Sequence, residues 1–345
     1  MQYGATHSGA ARAADNANAL SVSVVIPAYN AAAHIRETLD SVFAQTFTPC
    51  EVIVVNDGSP DTVELERALE PYAGRVVYVR QENRGPSGAR NAAITRARGE
   101  FVALLDSDDL WLPSYLTEQM KLLRDDPSLD LIYADAELFG DSPLAGRTFM
   151  QTAPSRGAVT FESLARWECT IITSCTVARR QALVEAGLFD EEFIRSEDFH
   201  LWLRLAHRGA RLAYQRKVLA RHRLHGTSLA SDRQRMVESQ IEVLRKIAGT
   251  LTLSREERRL IETQIASCRA HLTLEEGVRQ FVAGQYAQAA EAIARANEFF
   301  RSRRLRAALL GLRASPRLLH RIYLMRHRTS TRKLAAASGA IKSNV

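Results

Sequence analysis

The stretch EFVALLDSDDLWLP, Glu100–Pro113, joins an apolar segment to a group of acids. Five successive apolar residues, Phe101–Leu105, have the length and composition of a buried strand. Three carboxylates then follow within four positions, at Asp106, Asp108 and Asp109. A buried strand that runs into this much negative charge needs a counter-ion, and carboxylate oxygens are ligands that divalent metals prefer. The stretch therefore predicts a strand whose end lies at a metal site or, alternatively, acids that cap the helix that follows.

Three similar strands precede this one along the chain, and segments with helical spacing separate them. The strands are VSVVIPAYN (22–30), CEVIVVNDGS (50–59) and RVVYVRQ (75–81). Alternation of strand and helix at this pace predicts an α/β fold, with a mostly parallel, Rossmann-like sheet flanked by helices. The helix of GPSGARNAAITRARG is expected to end at Gly99 as its C-cap.

Polar side chains follow three of the four predicted strands. Tyr29 and Asn30 follow the first, Asp57 the second and Asp106 the fourth. In open α/β sheets, ligands bind outside the carboxyl ends of the strands. The sequence therefore predicts that these side chains meet at one ligand site.

Composition limits the class of protein. The chain has 345 residues, of which 46% are hydrophobic and 25% charged, values typical of soluble globular proteins. Four cysteines without a Cys-x-x-Cys pair favour a reducing compartment and argue against a structural zinc site. No run of about 18 apolar residues is present, so no membrane-spanning helix is predicted. Residues 1–20 lack an apolar core and are interpreted as a disordered tail.

Charge is distributed unevenly along the chain. Residues 301–345 hold 12 of the 46 basic residues and none of the 39 acidic ones, which leaves a net charge of −5 on the rest. Such a basic segment indicates an anionic partner, either a membrane surface or a nucleic acid. The alternative is a solvated helix that packs on the body of the protein.

The pattern divides the chain into a first domain, residues 21–231, and an all-α C-terminal region. Residues 232–300 are predicted to be helical, and GVRQFVAGQYAQAAEAIARANEFF within them resembles one tetratricopeptide unit. An ordinary helical hairpin explains the same spacing. Residues 301–345 mix Leu, Ile, Tyr and Met with Arg, as in a basic amphipathic helix that breaks near Pro316.

Five motifs in order resemble the family 2 glycosyltransferases, which have a GT-A-type fold. They are VSVVIPAYN, VIVVNDGS, ENRGPSGARNAAI, FVALLDSDDLWLP and SEDFHLWLRLA. The resemblance covers roughly residues 22–231. It implies transfer of a sugar from a nucleotide-sugar donor to an acceptor hydroxyl, with inversion at the anomeric carbon. The signature that follows the catalytic acid in processive polysaccharide synthases is absent, which favours addition of one sugar per encounter.

The resemblance also implies roles for individual residues. Asp106, Ser107 and Asp108 match the Asp-x-Asp motif, so that Asp106 faces the nucleotide and, with Asp108, the metal, either Mn²⁺ or Mg²⁺. His225 is the third candidate metal ligand, although a structural or solvated histidine is as reasonable an interpretation. Asp108 or Asp109 alternatively caps the next helix. The remaining nucleotide-binding candidates are Pro27, Tyr29, Asn30, Asp57, Asn83 and Arg90.

Asp57 has a simpler alternative role, and Arg90 has a specific expected contact. Asp57 lies in an Asn-Asp-Gly sequence that explains a turn without any ligand. Arg90 is expected to pair with phosphate in a charge-assisted hydrogen bond.

Glu197 and Asp198 are the catalytic candidates. By resemblance, Asp198 is the base that takes the acceptor's proton and Glu197 shapes the acceptor pocket. The alternative is that both acids only complement the dipole of the helix that they begin. Trp202, on the same helix, is expected in the core rather than at the substrate.

These observations favour a metal-dependent, inverting glycosyltransferase that uses a nucleotide sugar, most simply a UDP-sugar. The expected acceptor is a glycan or lipid-linked glycan of cell-surface polysaccharide assembly, and the basic tail favours an anionic membrane surface as partner, with no specific nucleic acid. The expected location is the cytoplasm, either free or peripheral on the inner face of the plasma membrane. The competing hypothesis is a non-catalytic module that binds a nucleotide sugar or a partner.

Overall fold

A computed structural model describes residues 21–153, 155–225 and 232–325. The predicted disordered tail, 1–20, and the last part of the basic tail, 326–345, lie outside the described residues. The chain divides into two compact units, Met1–Leu260 and Ile261–Val345. The predicted domain limits, 21–231, 232–300 and 301–345, stay predictions.

Eight strands of the described residues form one sheet in the first unit, in the order β3-β2-β1-β4-β7-β6-β8-β5. Their bounds are Val22–Ala28 (β1), Glu51–Asp57 (β2), Val77–Gln81 (β3), Phe101–Leu104 (β4), Leu110–Trp111 (β5), Leu131–Gly140 (β6), Thr176–Arg179 (β7) and Leu212–Leu224 (β8). β1 to β4 are mutually parallel, as the alternating strands and helices predict.

The second half of the sheet departs from the parallel pattern. β7 runs antiparallel to β4 and β6, and β5 runs antiparallel to β8. β6 and β8 are parallel over their whole shared length, with a bulge around Asp135. The short strand β5 was not predicted, because two residues are too few to show a pattern.

Helices cover the sheet of the first unit. Their bounds are Ile35–Phe43 (α1), Thr62–Leu69 (α2), Gly85–Arg96 (α3), Tyr115–Asp125 (α4), Phe149–Thr152 (α5), Phe161–Ala165 (α6), Arg180–Glu185 (α7), Glu197–His207 (α8) and Arg233–Thr250 (α9). The buried faces follow the sequence spacing: α1 buries Ile35, Leu39 and Val42 against the strands. The first unit thus has the mixed α/β architecture that the sequence predicts.

α9 packs on the rest of the first unit through an apolar stripe and a polar contact. Val243, Leu244 and Ile247 are buried, and Ser239 Oγ donates to the backbone oxygen of Arg195 at 2.6 Å. This packing accounts for the inclusion of α9 in the first compact unit, Met1–Leu260.

The second unit consists of helices throughout its described part. α10 (Arg255–Val282) runs into it, followed by α11 (Tyr286–Phe300), α12 (Arg303–Ala314) and a last helical segment, residues 316–325. The break between the last two falls beside Pro316, as predicted. α10 and α11 form a hairpin around Gly284, whose φ is +80°. Both the tetratricopeptide and the ordinary hairpin interpretations predict this arrangement.

Within residues 21–153, 155–225 and 232–325, no helix combines the length and the hydropathy that a membrane span requires.

Gly99 is not the C-cap that the sequence suggested. α3 ends at Arg96, and its C-cap, Ala97, has an extended conformation. Gly99 instead lies where the chain passes β1: its N–H donates to Ser23 Oγ at 2.9 Å. A Cβ atom there would lie 2.6 Å from the backbone nitrogen of Ser23. The residue is therefore small because two backbone segments approach each other, not because a helix ends there.

Replacing Gly99 by alanine should destabilise the first unit by about 1–3 kcal/mol, because the added methyl group forces apart backbone atoms that cannot rotate away. The matched control is Gly249→Ala in α9, where an added Cβ meets nothing within 4 Å; it should be neutral or stabilising by up to about 1 kcal/mol. Urea unfolding of the two variants measures both values, and equal stability would contradict the close-approach explanation.

Candidate active site

Arg90, on α3, is the buried link between two parts of the site. Its side chain donates to Asp106 Oδ1 and to Glu197 Oε1, both at 2.7 Å, and only 6% of it is exposed. Asp106 follows β4, and Glu197 begins α8. One guanidinium therefore fixes the end of a central strand relative to the start of a helix that is about a hundred residues away in sequence.

The three acids after β4 have three different partners. Asp106 pairs with Arg90. Asp108 Oδ2 lies 2.9 Å from His225 Nε2. Asp109 is buried, with Oδ2 2.8 Å from His222 Nδ1, and its Oδ1 accepts from the backbone N–H of Arg223 at 2.7 Å. Asp109 thus lies inside the protein, whereas Asp108 is partly exposed.

These pairings alter the acidity of the acids in different directions. Burial disfavours the charge of Asp106, but the Arg90 guanidinium holds the pKa of this carboxyl below its usual value. Burial and the neighbouring carboxylates of Asp109 and Asp106 raise the pKa of Asp108. Asp108 is therefore the acid of this group that most lacks a compensating positive charge.

His222 carries a charge in this setting. Burial opposes its protonation, but the carboxylates of Asp109, Asp106 and Asp108 outweigh it and raise the pKa of His222 to about 9. At neutral pH the imidazolium therefore neutralises Asp109, and that pair belongs to the fold rather than to a ligand.

Asp57 ends β2 beside this cluster and is almost fully buried. Its Oδ1 accepts from Gln81 Nε2 at 2.7 Å and from the backbone N–H of Arg84 at 2.9 Å. These contacts hold the carboxylate in place and connect it to the loop between β3 and α3. The turn explanation is incomplete, because the acid holds two chain segments beyond its own turn.

The other predicted nucleotide-binding residues line the same edge of the sheet. Pro27 lies near the end of β1, and Tyr29 just beyond it is 54% exposed. Asn30 has a positive φ, and its N–H donates to Ser59 Oγ at 2.6 Å. Asn83 is exposed, on the loop that Asp57 holds, and its side-chain oxygen accepts from the N–H of Gly85.

Ser107 meets α1 through its backbone. Its carbonyl oxygen accepts from Thr38 Oγ1 at 2.9 Å, which fixes the loop between Asp106 and Asp108.

Glu197 and Asp198 begin α8 after Ser196, whose φ is +57°. Burial raises the pKa of Glu197 to about 7; Arg90 opposes this shift and the charge of Asp198 adds to it. Asp198 Oδ2 accepts from Thr173 Oγ1 at 2.8 Å, and burial raises the pKa of Asp198 as well. A carboxylate with a raised pKa and a fixed orientation has the properties of a general base.

A short turn, Thr173–Cys175, connects the two acidic groups and was missed by the sequence argument. Thr173 holds Asp198, and the next residue, Ser174, accepts from the N–H of Asp106 at 3.1 Å. Ser174 also receives a hydrogen bond on its backbone oxygen from Trp111 Nε1 at 2.7 Å. No sequence signal separates these hydroxyl residues from those of an ordinary loop. Trp202, by contrast, lies in the core as expected, 2% exposed.

The residues after β4 fit a divalent cation only in part. Among the described residues, no three His, Cys, Asp or Glu side chains form a ready metal-binding group. Asp108 and His225 nevertheless place a carboxylate oxygen and an imidazole nitrogen side by side, both partly exposed, beside an excess of negative charge. Mg²⁺-type sites at phosphates commonly take one or two protein ligands and complete the shell with substrate and water. The donor set therefore fits a metal held jointly with a diphosphate.

Comparison with known proteins identifies the family of the chain. The sequence profile of the family described as Glycosyl transferase family 2 matches residues 23–186. The amylovoran biosynthesis glycosyltransferase AmsB of Erwinia amylovora is 32% identical, over 59% of this chain and 70% of its own length. A second relative, WfgD of Escherichia coli, is 29% identical, over 65% and 85%. It is named a UDP-Glc:alpha-D-GlcNAc-diphosphoundecaprenol beta-1,3-glucosyltransferase.

Coverage differs among the relatives. An uncharacterized glycosyltransferase of Rickettsia felis is 30% identical over 59% of this chain, which spans only about a third of that relative's length, 34%. The chain thus corresponds to only part of that relative.

Two solved structures share the fold. TarS residues 1–349 of S. aureus, in complex with UDP, superimposes with a TM-score of 0.55 at 21% identity, over 90% of this chain and 92% of the other. The mannosyltransferase PcManGT of Pyrobaculum calidifontis, in complex with GDP-Man and Mn²⁺, gives 0.58 at 22% identity, over 94% and 88%. At this identity the likeness establishes the fold alone.

The His222–Asp109 pair should stabilise the protein in a pH-dependent way. The pKa of His222 is raised above its usual 6.5, so the contribution of the pair is complete below about pH 6.5 and is lost as the pH rises through about 9. Replacing His222 by Gln should therefore destabilise the protein by about 1–3 kcal/mol at pH 6 and by much less at pH 10.

Unfolding of wild type, His222→Gln, Asp109→Asn and the double variant at both pH values isolates the pair. A coupling free energy that does not change between pH 6 and pH 10 would contradict the charged pair.

Proposed function

The chain belongs to glycosyl transferase family 2, and from this premise we propose that it moves one sugar from a nucleotide-sugar donor to an acceptor hydroxyl, with inversion at the anomeric carbon. One observation carries the proposal: Arg90 joins Asp106, on the side of the nucleotide candidates, to Glu197, which adjoins the candidate base Asp198. Arg90 thus holds a donor-side and an acceptor-side group close to each other, as a single displacement requires.

On the donor side we assign binding of the nucleotide to Asp57, Asn83, Asp106 and the edge formed by Pro27, Tyr29 and Asn30. Asp57 is held by two donors to its Oδ1, and we assign its Oδ2 to accept from a base N–H. Tyr29 is exposed and offers a flat face for stacking. The phosphate contact expected of Arg90 stays a prediction, since both of its terminal nitrogens already donate to carboxylates.

Asp108 and His225 are the residues that we propose to hold a divalent cation, Mn²⁺ or Mg²⁺, with Asp106 as a further predicted ligand. When bound, the cation would offset the charge that grows on the leaving diphosphate. The support in this chain is geometric: Asp108 Oδ2 lies 2.9 Å from His225 Nε2, both side chains are partly exposed, and the carboxylates of Asp106 and Asp109 follow the same strand. The Mn²⁺ in the PcManGT complex is consistent with this assignment.

On the acceptor side, Asp198 takes the proton of the attacking hydroxyl. Thr173 and the N–H of Phe199 orient its two oxygens, at 2.8 and 2.7 Å. Its raised pKa makes it a stronger base than an exposed aspartate. Glu197 is held by Arg90 and shapes the acceptor pocket beside it.

The proposed donor is a UDP-sugar, and the proposed acceptor is a glycan or lipid-linked glycan of cell-surface polysaccharide assembly. TarS binds UDP, and WfgD is named for a diphosphoundecaprenol-linked acceptor. We place the enzyme on the cytoplasmic side of the membrane that carries such lipids. The competing candidate, a non-catalytic binding module, would retain the nucleotide site and lack transfer.

Isothermal titration of UDP, GDP and dTDP, each with and without Mn²⁺, tests the donor site. We expect UDP to bind most tightly and to lose at least about tenfold in affinity without metal or in Asp108→Asn, because the diphosphate then meets uncompensated carboxylates. Asp125→Asn, at an exposed acid at the end of α4, is the matched control. Failure of all three nucleotides to bind the folded protein would sink the proposal.

Replacing Asp198 by Asn should lower kcat by about 10²–10⁴ and leave the affinity for UDP unchanged, because the amide keeps the shape but cannot take a proton. Donor hydrolysis and transfer assays, read beside the titration, separate chemistry from binding. Full transfer activity in this variant would remove Asp198 from the role of base, and binding without transfer in the wild type would favour the binding module.

A further inference from the structure

The last two helical segments of the second unit carry both buried and exposed apolar side chains. One face is satisfied internally: Leu309 and Leu312 of α12, with Leu319 and Tyr323 of 316–325, pack in a cluster around Phe281. Residues of the same segments also point outward. The second unit therefore exposes aliphatic surface that its own core does not use.

On α12 the outward face is formed by residues with helical spacing. Arg303, Arg306, Leu310 and Arg313 lie at steps of three and four, so they share one side of the helix. Leu310 is 69% exposed, the largest value among the exposed large apolar residues of the described chain. A leucine thus stands in the middle of three arginines.

The segment 316–325 repeats this arrangement. Leu318 and Ile322, four residues apart, are 57% and 39% exposed and form a short outward stripe. Arg317 and Arg321 precede each of them and are also exposed. Both segments thus present aliphatic side chains bordered by arginine.

The charge of this surface has one sign. Residues 301–325 contain seven arginines, all exposed, and no acid. None of these arginines forms an ion pair among the described residues; they are Arg301, Arg303, Arg304, Arg306, Arg313, Arg317 and Arg321. Such a surface favours an anionic partner.

Exposed aliphatic groups decide between the anionic partners. The phosphates of a nucleic acid would pair with the arginines but would make no favourable contact with Leu310, Leu318 or Ile322. A second copy of the same face would bring like charges together. An anionic lipid surface satisfies both features, because the side chains enter the acyl boundary while the arginines remain among the headgroup phosphates.

We propose that the outward face of α12 and residues 316–325, defined by Leu310, Leu318, Ile322 and the arginines around them, docks on an anionic lipid surface. This docking goes beyond the glycosyl transfer proposed above, and it holds or fails without it. If that transfer uses a lipid-linked acceptor, docking would bring the enzyme to the surface in which the acceptor lies.

Co-sedimentation of the full chain with vesicles tests the docking. The probes are vesicles of phosphatidylcholine alone and vesicles with about a third phosphatidylglycerol, each at low and at physiological salt. Point variants are preferable to removal of residues 301–345, because Leu309 and Leu312 belong to the core of the second unit. The apolar variant is Leu318→Ser with Ile322→Ser, and the charge variant is Arg317→Gln with Arg321→Gln.

The matched controls are substitutions of the same kind on the first unit. They are Val63→Ser, at an exposed apolar residue, and Arg124→Gln, at an exposed arginine. We expect the wild type and both controls to bind the anionic vesicles and to bind the neutral ones at least about tenfold more weakly. The apolar variant should lose about tenfold or more at any salt concentration. The charge variant should lose a similar factor, chiefly at low salt.

Three results would overturn the docking. The apolar variant binds anionic vesicles as the wild type does; or duplex DNA displaces the wild type from vesicles and binds the apolar variant equally well; or sedimentation velocity shows that the apolar variant only dissociates a dimer, with vesicle binding unchanged. Thermal unfolding verifies that each variant is folded. UDP titration of the same variants should match the wild type, which separates failure of docking from failure of the donor site.

Discussion

The pairing of one buried guanidinium with two carboxylates is the interaction on which the site depends. Arg90 is enclosed in the protein, and its charge is stabilised only because Asp106 and Glu197 both accept from it at 2.7 Å. A lysine could not reproduce the arrangement, since a single ammonium lacks the planar fork that reaches two acceptors in fixed directions. The end of β4 and the start of α8 are therefore parts of one rigid unit.

The acids around Arg90 differ in whether a cationic side chain pairs with them. Asp106 is paired with Arg90 and Asp109 with His222, whereas burial raises the pKa values of Asp108 and Asp198, and the nearby charges of His222 and Arg90, respectively, do not offset it. Asp108 and Asp198 are the two acids to which we assign the cation and the acceptor proton. Acids that neutralise cations of the protein and acids available for chemistry thus alternate within a few residues, which allows a dense group of carboxylates to remain folded.

Much of the first unit follows from local patterns. β1 to β4 are runs of β-branched and apolar residues, and such runs can be recognised from the sequence alone. The candidate acids could be located for the same reason, since they stand directly after these strands. The antiparallel pairing of β7 could not be predicted, because the sequence of a four-residue strand does not indicate which strands it pairs with.

The hydrogen-bond partners of the site residues also could not be predicted from the sequence. The pairing of Arg90 with Glu197 joins positions 107 apart, and Thr173 contributes a hydroxyl that resembles any other in the sequence. Gly99 was misjudged for a related reason: a glycine after a helix is compatible with a cap, and only the fold reveals that Ser23 passes within 2.6 Å of its absent Cβ.

The burial of Asp109 between His222 and Arg223 affects how inactive variants of this protein should be interpreted. Asp108 and Asp109 are adjacent and chemically identical, yet only the second supports the strand β8. Loss of product after a change at position 109 would reflect a smaller amount of folded enzyme, whereas the same loss at position 108 would reflect an altered site in intact protein. A genetic screen that scores product alone would place both in one catalytic motif, and measuring protein abundance beside product would separate them.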